Sequence, residues 1–160
     1  MRKSPISFIV VFALSCLSAF SFAADIDSIG SVSTNFKLVG PNDKIVLTAF
    51  DDPDVNGVTC YLSSAKTGGV TGAVGLATDS SDASVSCVKT DRITFYNGIE
   101  NGVEVFSEKR SILFKELHVK RFIDKKRNVL IYMTYSDHLI DGSPKNSISV
   151  VSYDSTLNSK

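Results

Sequence analysis

Apolar and polar positions alternate along much of this chain with a period of two, the pattern of half-buried strands. In residues 83–88, Ala83, Val85 and Cys87 fall on one face, with Ser84 and Ser86 on the other. Residues 128–135 place Val129, Ile131, Met133 and Tyr135 on one side and Leu130, Tyr132 and Thr134 on the other. The segment 117–123 is also strand-like, and Asp124-Lys-Lys-Arg127 supplies a charged turn between the two, so this region predicts a hairpin. Further strands are predicted at 28–39, 44–50, 58–62 and 147–153. Gly40-Pro-Asn-Asp43, Asp51-Asp-Pro-Asp54 and Gly142-Ser-Pro-Lys-Asn146 punctuate them as turns. One short helix is expected near 70–84. The pattern predicts a mainly β fold: a single antiparallel sandwich or open barrel-like domain with at most a few short helices.

The N-terminus reads differently. Arg2 and Lys3 precede an uncharged apolar run over 6–20, and Ser21-Phe-Ala-Ala24 follows. A basic head, an apolar middle and small residues before a cut site make a secretory signal peptide, cleaved after Ala23. The predicted organisation is therefore a signal peptide over 1–23 and one domain over 24–160. The apolar run is shorter than the roughly 20 residues of a membrane span, and no later segment reaches that length. The mature chain is expected to be soluble in the periplasm. The alternative is lipid anchoring through Cys16, because Ala13-Leu-Ser-Cys16 loosely resembles a bacterial acylation site.

Export changes how the cysteines and charges are read. Cleavage leaves Cys60 and Cys87, and a pair in an oxidising compartment is most simply a disulfide. The alternatives, a redox pair or metal ligands, lack a Cys-x-x-Cys spacing and a nearby histidine. Of the 17 basic residues, Arg2 and Lys3 leave with the signal, so 15 face 17 acidic ones. That balance gives no bulk attraction to nucleic acid or anionic lipid.

The segment Tyr61-Leu-Ser-Ser-Ala-Lys-Thr-Gly-Gly-Val-Thr-Gly-Ala-Val-Gly75 offers catalytic letters. In penicillin-binding enzymes a Ser-x-x-Lys and a separate Lys-Thr-Gly line one cleft. Here Lys66 would have to serve both, which geometry forbids, so Ser63 is not expected to be a nucleophile. A phosphate loop needs its lysine after the glycines and a βαβ setting, and both are missing. A glycine-rich loop inside the Cys60–Cys87 ring suits close backbone approach, by a partner or in tight packing. Asp52-Pro-Asp-Val-Asn-Gly57 matches the first half of a calcium loop through Asp52, Asp54 and Asn56. The twelfth position is Ser63 rather than Glu, so an Asx-capped turn is the main expectation and a weak calcium site the alternative. No metal or other cofactor is expected. His118 and His138 each read as polar residues on half-exposed structure. Lys120, Arg121, Lys125, Lys126 and Arg127 read as a solvated basic edge around the hairpin turn.

These residues together resemble the CreA proteins of Gram-negative bacteria. The resemblance rests on Gly40-Pro-x-x-Lys-Ile-Val46, Ala49-Phe-Asp-Asp-Pro-Asp-Val55, Val58-Thr-Cys-Tyr61, Ala65-Lys-Thr-Gly-Gly69, Ser81-Asp-Ala83, Ser86-Cys87, Lys126-Arg-Asn128, Tyr135-Ser-Asp137 and Gly142-Ser-Pro-Lys-Asn146. It covers nearly all of the mature chain. It implies an exported protein without an assigned biochemical activity, and it supplies no catalytic residues.

The expectation is a non-catalytic binding or interaction domain in the cell envelope, with an envelope protein or small ligand as partner. Its candidate residues are Asp51, Asp52, Asp54, Lys66, Thr67, Gly68, Gly69, Ser143, Pro144, Lys145 and Asn146, all on turns, where function concentrates. The alternative is an envelope hydrolase pairing Asp51, Asp52 or Asp54 with Lys66 or Lys145, or a weak calcium-stabilised module. If the three turns share one concave face, they make a site; if not, they are plain turns.

Overall fold

The predicted strands form in the computed structural model, which describes residues 25–69, 83–96, 98–109, 116–136 and 145–159. The segment expected to be a signal peptide, most of the glycine-rich loop, His138, Ser143 and Pro144 lie outside the described residues. In chain order the strands are β1 (Asp27–Asn35), β2 (Asp43–Asp51), β3 (Val55–Lys66) and β4 (Ala83–Phe95), then β5 (Val103–Lys109), β6 (Glu116–Asp124), β7 (Val129–Ser136) and β8 (Asn146–Ser152). The first four make one antiparallel sheet in sequence order and the last four a second. A 3-10 turn (Ser155–Ser159) follows, and its Leu157 packs against the core.

Alternation decides which face each strand buries. Val58, Cys60 and Leu62 of β3 and Val85 and Cys87 of β4 point inward from the first sheet. Leu117 and Val119 of β6, and Leu130 and Tyr132 of β7, meet them from the second. Phe50 and Phe106 stack across the sheets with ring centroids 4.5 Å apart. Each fully buried aliphatic or aromatic side chain contributes about 1.5–3 kcal/mol of transfer free energy.

The sheets also meet at one seam. Ser147 Oγ accepts the Val85 N–H at 3.0 Å, and Ser149 Oγ accepts the Cys87 N–H at 2.8 Å and donates to the Cys87 carbonyl at 3.4 Å. Side-chain hydroxyls thus stand where a closed barrel would place a backbone ladder. The same bonds turn the Cys87 backbone away from β3, so Cys60 and Cys87 sit opposite each other at a non-hydrogen-bonded position, where cross-strand side chains come closest. They are joined as a disulfide and are buried.

Three details differ from the sequence reading. Strand β5 escapes simple alternation because a register shift between Glu104 and Phe106 buries both Val105 and Phe106. Strand β1 stops at Asn35, and residues 36–42 form the turn that leads into β2. Of the helix expected at 70–84, Ala83 and Ser84 already belong to β4, and the rest lies outside the described residues.

Candidate functional site

The acidic turn between β2 and β3 is built around Asp52. Its Oδ1 accepts the Asp54 N–H at 2.9 Å, an Asx turn, and the Val55 N–H bonds the Asp52 carbonyl at 3.3 Å. Arg121, projecting from β6 in the opposite sheet, donates through Nη1 to Asp52 Oδ1 and through Nη2 to Asp54 Oδ2 at 2.9 Å. Tyr132 on β7 donates to Asp52 Oδ2 at 2.7 Å. Arg121 and Tyr132 are both 0% exposed.

This corrects the placement of Arg121 on a solvated edge. Leu117, Val119 and Arg121 share the inward face of β6, so the guanidinium enters the core and is neutralised there. Of the other basic residues, Lys125, Lys126 and Arg127 are exposed as expected, with Arg127 bonding Asp124 at 2.6 Å, while Lys120 is half-buried. Burial opposes the charge on Arg121, but the bonds to Asp52 and Asp54 outweigh it and raise its pKa. Burial, reinforced by the Asp52 carboxylate, pushes the Tyr132 hydroxyl far above its usual range, so it remains a donor. With three donors on Asp52, the group is arranged as a clasp between sheets rather than as an acid–base pair.

Three residues of the calcium-like string, Asp52, Asp54 and Gly57, have structural roles. Asp52 and Asp54 hold Arg121 in place of a metal cation. Gly57 lies where β4 bulges, and a Cβ there would come within 2.7 Å of the Asp91 and Arg92 carbonyl oxygens. Among the described residues no group of three or more His, Cys, Asp or Glu is placed to hold a metal.

The Lys-Thr-Gly-Gly segment answers a different need. The Gly68 N–H donates to Asp43 Oδ1 at 2.8 Å and the Gly69 N–H to the Pro41 carbonyl at 2.7 Å. A Cβ on Gly68 would sit 1.9 Å from the Pro41 oxygen. Gly68 is therefore required for backbone-on-backbone packing against Gly40-Pro-Asn-Asp43, and Gly69 for its left-handed backbone, with φ at +72°. The Gly68 N–H, aided by Lys37 at 3.1 Å, holds the Asp43 carboxyl below its ordinary range. The Lys37 N–H donates to Asn42 Oδ1 at 2.9 Å and closes the turn. On this pinned turn Phe36, Leu38 and Val39 are 81%, 94% and 70% exposed.

The described candidate residues fall into two groups at opposite ends of the first sheet. Asp51, which accepts a 2.6 Å bond from Thr59, and the Asp52–Asp54 clasp lie at one end of the β2/β3 ladder. Lys66, paired with Glu108 at 3.3 Å, and half-buried Thr67 with buried Gly68 and Gly69 lie at the other. Seven residues of strand separate Thr59 from Lys66, about 23 Å at the usual rise. Lys145 and Asn146 are exposed at the start of β8, beside β4 residues paired with the Lys66 end of β3. His118 is half-buried, bonds Glu104 at 2.6 Å through Nδ1 and stacks on Tyr135. Sequence reasoning missed the apolar tip and the roles of Arg121 and Tyr132. Parity along β6 and β7 carried the signal for the last two.

A family profile described as "CreA protein" matches residues 29–156. The chain is 53% identical over 132 residues to "Protein CreA" of Escherichia coli strain K12, covering 80% of this chain and 84% of that one. The same figures hold for "Protein CreA" of Escherichia coli O6:H1 strain CFT073 and of Escherichia coli O157:H7. No solved structure matches. With a match that runs from β1 to the turn after β8, this chain belongs to the CreA family.

Proposed function

We propose that the protein is an exported, non-catalytic interaction domain of the cell envelope, and that it meets its partner through the turn over residues 36–43, buttressed by Gly68 and Gly69. One observation carries this reading. Three large apolar side chains are held out to solvent on a turn whose backbone is fixed by hydrogen bonds and glycine packing. Three large apolar side chains exposed within four residues on one pinned turn are the kind of surface that a partner covers. The buried ionic groups support the same reading, because Asp52 and Arg121 are engaged with each other, and the Asp and Lys residues a hydrolase would pair stand at opposite ends of the sheet.

The test is photo-crosslinking in the periplasm from an aryl azide at position 38. A discrete adduct heavier than the chain by the mass of another envelope component is expected, and it should vanish with Phe36→Asn and Val39→Asn. No adduct, or one indifferent to those changes, overturns the proposal. Native mass spectrometry of the same preparation should show a chain that begins at Ala24 and is two hydrogens light. A bound metal or organic ligand would instead favour a small-molecule site.

A further inference from the structure

We infer that β1 is a self-association edge: two copies of this chain join their first sheets by pairing β1 antiparallel with β1 across a two-fold axis near Val32. This goes beyond the partner reading, which concerns the 36–43 turn.

The edges of the two sheets are not alike. Strand β5 carries Glu104, Glu108 and Lys109, charges of the kind that guard an edge. The open side of β4 is met by Ser147 and Ser149 of β8. Strand β1 pairs with β2 on one side, all nine of its residues are exposed, and from Ser28 to Asn35 it has neither a charge nor a proline. An uncharged edge that no other described strand pairs with is a template for another strand.

The occupant follows from charge and register. Asp25 and Asp27 lie at one end of the strand and Lys37 just beyond the other. Lys37 contacts Asp43 but keeps 38% of its side chain exposed. Antiparallel self-pairing about Val32 brings the acidic end of each β1 toward the Lys37 end of the other, whereas parallel pairing would set Asp27 against Asp27. Register shifts at Ser28/Gly30 and Ser33/Asn35 flank the axis on both sides, leaving a short regular ladder between them. Val32 is paired with Ile45 of β2, and both are exposed. Pairing across the axis joins them to Val32 and Ile45 of the second copy as one apolar strip. Such an interface is isologous and closes at two copies. Its small extent makes the dimer weak.

The test is sedimentation velocity on the oxidised mature chain, from about 1 μM to about 1 mM, the dissociation range of weak complexes. A monomer–dimer equilibrium is expected. Val32→Lys, a change at an exposed position, should weaken it at least about tenfold by placing like charges opposite each other. Asp27→Lys and Lys37→Asp should each weaken self-association, and mixing the two variants should restore it as a heterodimer. A chain that stays monomeric throughout, or a dimer indifferent to Val32→Lys, overturns the inference. Monomers that bind phosphatidylglycerol vesicles and lose that binding with Val32→Asp overturn it in favour of a lipid surface. Leu38→Asn should leave the dimer intact, which separates this edge from the partner-binding turn.

Discussion

At the scale of single residues, Arg121 decides the chemistry of the interior. It is a cation on the core face of a strand, surrounded by Val119, Tyr132 and the Asp52 turn, and it is tolerable there because two carboxylates meet its two terminal nitrogens. Arg121→Met would leave Asp52 buried without its counter-charge, and a loss of about 3–5 kcal/mol in urea unfolding is expected. Tyr132→Phe removes one hydrogen bond to a charged acceptor and should cost about 1.5–3 kcal/mol. Equal stabilities for both variants and the parent would show that the clasp contributes nothing. Asp43 carries a separate, pH-dependent contribution. Its folded pKa lies below the unfolded value of about 3.9, so the stability it confers is present above that value and lost as pH falls through the folded one. The urea midpoint should therefore drop below about pH 4, and Asp43→Asn should flatten that limb. An acid limb unchanged by Asp43→Asn would refute the assignment.

At the scale of elements, the β3–β4 pair is stapled. Cys60 and Cys87 are direct cross-strand neighbours, and opening the ring between them should cost about 3–4 kcal/mol on the chain-entropy estimate. Cys60→Ala with Cys87→Ala should lower the melting temperature clearly, and reductant should lower that of the parent alone. A melting temperature unmoved by either would remove the structural role of the bridge. This staple was legible from the sequence because the expected cleavage would leave two cysteines bound for an oxidising compartment, where a pair is most simply a disulfide. Seven of the eight strands were legible for a similar reason: alternation is a local property, and Val85–Cys87 or Leu130–Tyr132 declare their faces without any partner. Strand β5 was hidden because its bulge puts Val105 and Phe106 on the same side. The tip at Phe36, Leu38 and Val39 was read as strand because apolar residues ordinarily continue one. What ends β1 is the fit of Gly68 and Gly69 beneath the following turn, a contact made across 25 or more residues of chain. Asp52 and Asp54 looked like ligands for the same reason, since their cation comes from 67 to 69 residues away.

At the scale of the whole molecule, the chain divides into two local meanders that cannot stand apart. Residues up to Phe95 make one sheet and residues from Val103 the other, so among the described residues every ladder joins neighbours in sequence. Each sheet buries one face, and what covers that face is the other sheet: Phe50 against Phe106, Arg121 against Asp52, the β8 serines against β4. Separating them would expose both apolar faces and strand a guanidinium and a carboxylate in the gap, so neither half has a stable state of its own. The chain should then unfold as one unit despite its two-part topology. Fluorotyrosine labelling reports on this directly, because Tyr61 lies in the first sheet and Tyr132, Tyr135 and Tyr153 lie in or beside the second. All four of these resonances, and the fifth from Tyr96 just after β4, should disappear at one urea midpoint, and Arg121→Met should move them together. A Tyr61 midpoint that differs from the rest, or that stays put when Arg121 is replaced, would mean that the halves fold independently and that the clasp belongs to the second sheet alone.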